Sequence, residues 1–87
     1  MIFEGALIKE QGVTFGIIVV KMSVIQNRRE ANILISNAEQ NIFRGVPVVL
    51  MAQDARGKPY YYGRQDITRF LSNISLHSIP WRKYTMN

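Results

Sequence analysis

The chain contains no cysteine, a single histidine and no long hydrophobic run, and each lack excludes a class of function. Without cysteine there are neither disulfides nor thiolate chemistry, and nothing points to an oxidising compartment. One histidine without thiolates does not compose a standard transition-metal site, so we expect neither a metal nor a cofactor. The longest apolar run, FGIIVV at residues 15–20, is much shorter than the roughly 20 residues of a membrane-spanning helix.

Groups for catalysis are also scarce. His77 is the only histidine, and the two carboxylates in its half of the chain each have a structural explanation. Asp54 belongs to a turn pattern, DARG, and Asp66 lies where a helix starts. Because no nucleophile–base pair is present, we expect a protein that is not an enzyme.

Length and composition indicate one small globular domain over residues 1–87. A composition of 47% hydrophobic and 20% charged residues is typical of globular chains and not of disordered ones. Glu4 and Lys9 interrupt the apolar core that a signal peptide needs, so we expect a cytoplasmic protein.

The positive charge is confined to the second half of the chain. Residues 1–43 hold four basic and four acidic side chains, whereas residues 44–87 hold seven basic and two acidic ones, which accounts for the net charge of +5. This asymmetry predicts a surface that attracts a polyanion or an acidic partner. A basic face that only keeps the protein in solution explains the same numbers.

Two strands are predicted at the start of the chain, over residues 2–9 and 13–21. They are joined by a tight hairpin turn at EQG, in which Gly12 takes a positive φ. The first strand has the mixed polarity of an edge strand. The second is apolar at both parities, as is typical of a central strand that is covered on two sides.

Two more strands follow in the second half. Residues 46–52 are again apolar on both faces, and DARG at residues 54–57 forms a turn with Gly57 in a left-handed conformation. The chain returns as a strand over residues 60–63, and Pro59 places this strand at an edge of the sheet.

Helical periodicity appears twice. Residues 23–43 carry an apolar stripe at three- and four-residue spacing, formed by Ala31, Leu34, Ile35, Ala38 and Ile42. Ser23 with Gln26 and Asn27 with Glu30 are alternative capping boxes for its start, and Gly45 is placed to end it. A short second helix starts at Gln65 or Asp66, with an apolar face of Ile67, Phe70, Leu71 and Ile74.

The order of elements predicts an α+β fold, ββαββα, with a four-stranded mixed sheet and two helices. Crossovers between parallel strands are right-handed, so strands 13–21 and 46–52 are expected to be adjacent and parallel. Two helices have to cover two apolar sheet faces. Either they take opposite faces, or both lie on one face and a second subunit covers the other, which makes a homodimer the expected oligomer.

The segment KPYYYGR at residues 58–64 carries the clearest binding pattern. In an extended chain its alternate side chains place two cations and two rings on one face, with Tyr61 pointing the other way. Rings that stack on bases and cations that contact phosphates suit single-stranded nucleic acid. Tyrosines beside basic residues are equally typical of protein interfaces, and tyrosine is common in ordinary strands.

The tail SLHSIPWRKYTMN at residues 75–87 is predicted to be irregular, because Pro80 breaks it, and its last part, IPWRKYTMN, repeats this aromatic and basic composition. Trp81 either seals one end of the core or belongs to a mobile arm that docks on a partner. The sequence therefore predicts a non-enzymatic interaction domain that self-associates and offers a basic, tyrosine-rich edge to a protein partner. The alternative is a single-stranded nucleic-acid-binding module that uses the same edge. The predicted partner-binding residues are Arg56, Lys58, Tyr60, Tyr62, Arg64, Trp81, Arg82 and Lys83.

Overall fold

The computed structural model describes residues 2–10 and 12–85, which form a mixed sheet with helices on both of its faces. The strands are β1 (Ile2–Glu10), β2 (Val13–Val19), β3 (Val48–Gln53), β4 (Pro59–Tyr62) and β5 (Arg82–Thr85). The helices are α1 (Met22–Gln26), α2 (Arg28–Asn41) and α3 (Gln65–Leu71), and a 3-10 turn spans Leu76–Ser78.

The strands lie in the order β4-β3-β2-β1-β5. β2 and β3 are adjacent and parallel, with Gly16 opposite Val48, whereas all other neighbours are antiparallel. This confirms the predicted crossover and the edge position of β4. Gly12 has the predicted positive φ of 79° between the paired Glu10 and Val13, while Gln11 of the predicted turn lies outside the described residues.

The sheet has five strands and not the predicted four, because Arg82–Thr85 of the tail form a strand, whereas residues 75–81 contain only the 3-10 turn and Met86 and Asn87 lie outside the described residues. β5 pairs with β1 in antiparallel register, with Tyr84 opposite Phe3, so β1 is an interior strand and its predicted edge position is wrong. The rings of Phe3 and Tyr84 stack with centroids 5.5 Å apart, and Phe43 meets Tyr84 edge-on at 5.1 Å. Such cross-strand aromatic contacts stabilise a short strand.

The structure also has three helices where two were predicted, because the segment 23–43 is broken at Asn27. The Asn27 side chain accepts a hydrogen bond from the Glu30 backbone N–H at 3.1 Å, so the second of the two capping boxes starts α2. α1 has Lys21 as its N-cap, without a side-chain hydrogen bond. α2 ends at Asn41, four residues before Gly45, which has a φ of 78°.

The helices take opposite faces of the sheet, which is the first of the two arrangements expected. The predicted stripe of α2 packs with Ile18, Val48 and Leu50 on one face. On the other face, Ile67 and Leu71 of α3 pack on the sheet, and Phe70 and Ile74 lie half-buried beside them. The sheet residues that they cover are Phe15, Ile17, Val49 and Met51. Both faces therefore carry a helical layer, and the open apolar face from which a dimer was expected is not present in residues 2–10 and 12–85. None of the helices in this part of the chain is long and apolar enough to cross a membrane.

Candidate functional site

The turn that precedes β4 is held by its own side chains. The Asp54 carboxylate Oδ1 accepts hydrogen bonds from the backbone N–H groups of Arg56 and Lys58, both at 2.9 Å. Gly57 has the predicted positive φ of 83°, and its carbonyl accepts a bond from the Gln53 side-chain amide at 2.9 Å. The backbone that carries Arg56 and Lys58 is therefore fixed before any partner arrives.

β4 presents backbone hydrogen-bonding groups at the outer edge of the sheet. The Asp54 N–H donates to the Lys58 carbonyl at 3.0 Å, and from this pair onward the pairing of β3 with β4 is antiparallel. In an antiparallel ladder the residues alternate between pairs that bond to each other and pairs whose groups point away. Because Lys58 belongs to a bonded pair, every second residue after it also bonds to β3. The residues between them do not, so the N–H and C=O of Tyr61 and the carbonyl of Pro59 point away from β3.

The three tyrosines have three different environments. The Tyr60 side chain is 41% exposed, and the Lys58 ammonium lies 5.5 Å from the centroid of its ring. Tyr62 is half-buried against the helical layer of α2, and its hydroxyl donates to Asn32 Oδ1 at 2.9 Å. Tyr61 packs on the opposite face, beside the layer of α3, so the predicted alternation of side chains is present.

The Tyr61 hydroxyl is buried and has no hydrogen-bond partner among the described residues. Burial raises the pKa of Tyr61 above its ordinary value of 10.0, because the phenolate loses more hydration than the neutral phenol does. Tyr61 therefore contributes its ring to the core and only its backbone to the edge.

Arg64, which follows β4, is engaged with Asp66. Two parallel hydrogen bonds join Arg64 Nε and Nη2 to the two carboxylate oxygens of Asp66, each at 2.8 Å. The hydrogen bond from Arg64 lowers the pKa of Asp66 below its ordinary value. Because Asp66 offsets the charge of Arg64, the exposed Arg56 and Lys58 are the stronger cations of this edge.

A groove of about 410 Å³ runs between β4 and α2. Arg28 and Asn32, one helical turn apart, line it together with Tyr62 and Arg64. Glu39 also lines the groove, and its carboxylate accepts a hydrogen bond from the Val48 N–H at 3.0 Å. Arg28 and Asn32 were not predicted as binding residues, because their proximity to Tyr62 depends on the packing of α2 and has no local signal in the sequence.

The predicted binding residues do not form one surface. Arg82 and Lys83 are exposed on β5, at the edge of the sheet opposite β4. Four strand spacings of about 4.8 Å separate the two edges by roughly 19 Å. Trp81 is half-buried against the layer of α3, and its indole N–H donates to the Leu76 carbonyl at 3.0 Å. The tail and the tyrosine-rich edge are therefore separate places on the domain.

Within the described part of the chain, no three histidine or acidic side chains come close enough to hold a metal ion. Comparison with protein-family models, with curated proteins and with solved structures gives no match for this chain.

Proposed function

We propose that this domain binds a protein partner by taking up an extended, acidic segment along the outer edge of β4. The observation that carries the proposal is a sheet edge with outward-pointing backbone groups, bracketed by basic side chains. Strand addition of this kind draws affinity from main-chain hydrogen bonds and selectivity from the flanking side chains. The domain acts in this proposal by binding and without catalysis, in the cytoplasm.

The charges around β4 select an acidic partner. Arg56 and Lys58 stand at one end of the strand, and Arg64 at the other. Opposite charges steer two surfaces together, and like charges side by side disfavour the wrong partner. Tyr60, exposed beside Lys58, adds a rigid aromatic anchor of the kind that is enriched at protein interfaces.

The same charges oppose pairing between two copies of the chain. Two β4 edges in antiparallel contact would bring Lys58 of one copy towards Arg64 of the other, and β5 is basic as well. Like charges directly across a strand pair are destabilising, and basic side chains on edge strands suppress edge-to-edge pairing. The homodimer predicted from the sequence stays a prediction. The open sheet face on which it was based is not present in the described residues.

Single-stranded nucleic acid is the second candidate, and the tyrosines favour it less. A stacking platform needs several rings with open faces. Tyr62 packs under α2 and is tied to Asn32, while the Lys58 ammonium lies over the ring of Tyr60. One exposed ring with one cation above it suits an anchor in a protein interface better than a run of bases.

A set of labelled probes separates the two candidates. A peptide of alternating valine and glutamate, its lysine counterpart and oligo-dT and oligo-U strands would be titrated with the protein and followed by fluorescence anisotropy. We expect binding of the acidic peptide alone, with chemical-shift changes in β4. Binding of oligo-dT or oligo-U that is lost with Tyr60→Ala would support the nucleic-acid candidate instead.

Substitution of Tyr61 tests the backbone contact. Tyr61→Pro and Tyr61→Ala both remove the buried ring, but only Tyr61→Pro removes the outward N–H, and proline is tolerated at a sheet edge. We expect Tyr61→Ala to keep most of the peptide affinity and Tyr61→Pro to lose at least tenfold, with circular dichroism verifying that both fold. Equal affinities of the two folded variants would exclude strand addition at β4.

A further inference from the structure

On the face of the sheet that carries α3, a hollow of about 390 Å³ lies at one end of the strands. Val19 and Met51 line it where β2 and β3 approach their carboxyl ends, and Gln53 is the last residue of β3. The carboxyl ends of adjacent parallel strands are where open sheets with helices on both faces bind their ligands. A volume of this size is also within the range of small-molecule sites.

The polar groups around this hollow are mainly hydrogen-bond acceptors. Glu4 contributes a carboxylate from β1. The Gln53 amide nitrogen is bonded to the Gly57 carbonyl at 2.9 Å, which leaves the amide oxygen of Gln53 as an acceptor. His77, the only histidine, lines the hollow from the 3-10 turn and adds an imidazole nitrogen.

The rest of the lining is apolar and includes an aromatic ring held in a fixed orientation. Trp81 lines the hollow, and its indole N–H is already bonded to the Leu76 carbonyl at 3.0 Å. The ring is thereby left to interact through its face, which attracts cations. Leu76 and Met51 complete an apolar floor.

We infer that this hollow is a binding site for a small organic cation, a primary amine with an apolar body. The ammonium group would pair with the Glu4 carboxylate and lie near the Trp81 ring, and the apolar body would cover Met51 and Leu76. An acidic group in a protein of net charge +5 sets this hollow apart from the basic edge at β4. The inference does not depend on the function proposed for that edge.

Lys83 is the cation within the protein that competes for Glu4. It lies directly opposite Glu4 in the pairing of β1 with β5, so both side chains are on the same face of the sheet. Among residues 2–10 and 12–85, the only ion pair within 4.0 Å joins Arg64 to Asp66, so Lys83 and Glu4 do not form an ion pair. Removal of Lys83 should therefore strengthen the binding of an amine.

Fluorescence of Trp81, the only tryptophan, reports on this hollow. Phenethylamine would be titrated into the protein at constant ionic strength, with 2-phenylethanol as its neutral match. We expect a saturable change in emission with phenethylamine, and an affinity for 2-phenylethanol that is at least tenfold weaker. Equal affinities for the two probes, or no saturable change, would overturn the inference.

Substitutions test where the ammonium group of the bound amine lies. Glu4→Gln should weaken phenethylamine binding at least tenfold, whereas Glu10→Gln, on the same strand and the same face but outside the hollow, should leave it within twofold. Lys83→Gln should bind at least twofold more tightly. An unchanged affinity in Glu4→Gln, or an equal loss in Glu10→Gln, would show that the ammonium group is not held at Glu4.

Discussion

The Tyr62 hydroxyl donates a hydrogen bond to Asn32 Oδ1 at 2.9 Å and so joins the edge strand β4 to helix α2 across 30 residues of chain. This bond fixes Tyr62 at the wall of the groove beside the candidate binding edge. It is also the only side-chain bond among the described residues between β4 and α2. The edge strand is thus held by a contact that its own sequence does not reveal.

Loss of this bond should lower stability by a small but measurable amount. Tyr62→Phe keeps the ring and removes the donor, and we expect a loss of about 1 kcal/mol in the free energy of unfolding, the usual net contribution of one hydrogen bond. Urea denaturation of Tyr62→Phe, Asn32→Ala and the double variant gives the coupling energy. Tyr60→Phe, at an exposed ring, is the control, and an equal loss there would refute the assignment.

Tyr61→Phe should have the opposite effect from Tyr62→Phe. The Tyr61 hydroxyl is buried without a partner, and a buried polar group of this kind destabilises the fold by about 1–3 kcal/mol. We therefore expect Tyr61→Phe to be neutral or stabilising in the same urea experiment. A clear loss of stability would mean that the hydroxyl has a partner.

Because Tyr61 is buried, its ionisation at high pH should also lower the free energy of unfolding. Because the pKa of Tyr61 in the folded state lies above its ordinary value of 10.0, its contribution is complete below pH 10.0 and is lost as the pH rises through the folded-state value. Absorbance at 295 nm should show a tyrosine that titrates above 10.0, and Tyr61→Phe should remove that step.

The features that could be predicted from the sequence depend on neighbours in the chain. The turn at Asp54, the positive φ of Gly57 and the capping of α2 by Asn27 each involve residues no more than four apart. The alternation of Tyr60, Tyr61 and Tyr62 follows from the geometry of any strand. The edge position of β4 was predicted from Pro59, because proline has no backbone N–H to donate to a second neighbouring strand.

The features that were missed depend on contacts between distant parts of the chain. β5 pairs with β1 and is stabilised by contacts of Tyr84 with Phe3, about eighty residues earlier, and with Phe43. No local pattern in RKYT distinguishes a strand from a basic arm. In the same way, the strand pattern predicted that Tyr60 and Tyr62 share one face, but only the packing of α2 beside Tyr62 determines that its hydroxyl meets Asn32.

The two capping boxes offer a matched pair of substitutions. Asn27→Ala removes the acceptor for the Glu30 N–H, and loss of such a cap usually lowers stability by about 1 kcal/mol. Ser23→Ala affects the box that the structure does not use, and we expect a change within about 0.5 kcal/mol. Thermal or urea unfolding measures both. A larger effect of Ser23→Ala than of Asn27→Ala would place the start of the main helix one turn earlier.

The pair of Arg64 and Asp66 should be visible in an acid titration. The hydrogen bonds from Arg64 hold the pKa of the Asp66 carboxyl below its ordinary value of 3.8, because they favour the ionised form. The contribution of the pair is therefore present above pH 3.8 and is lost as the pH falls through the folded-state pKa. Carboxyl-carbon NMR should show that Arg64→Gln raises the pKa of Asp66 towards 3.8, whereas Arg44→Gln, which removes a cation outside the pair, leaves it low.

Added salt should narrow the difference in Asp66 pKa between these two variants, since the side chains of Arg64 and Asp66 are both more than half exposed, at 53% and 56%. If both variants gave the same Asp66 pKa, Arg64 would be unpaired in solution, and its full charge would then add to the basic edge that we propose as the binding surface.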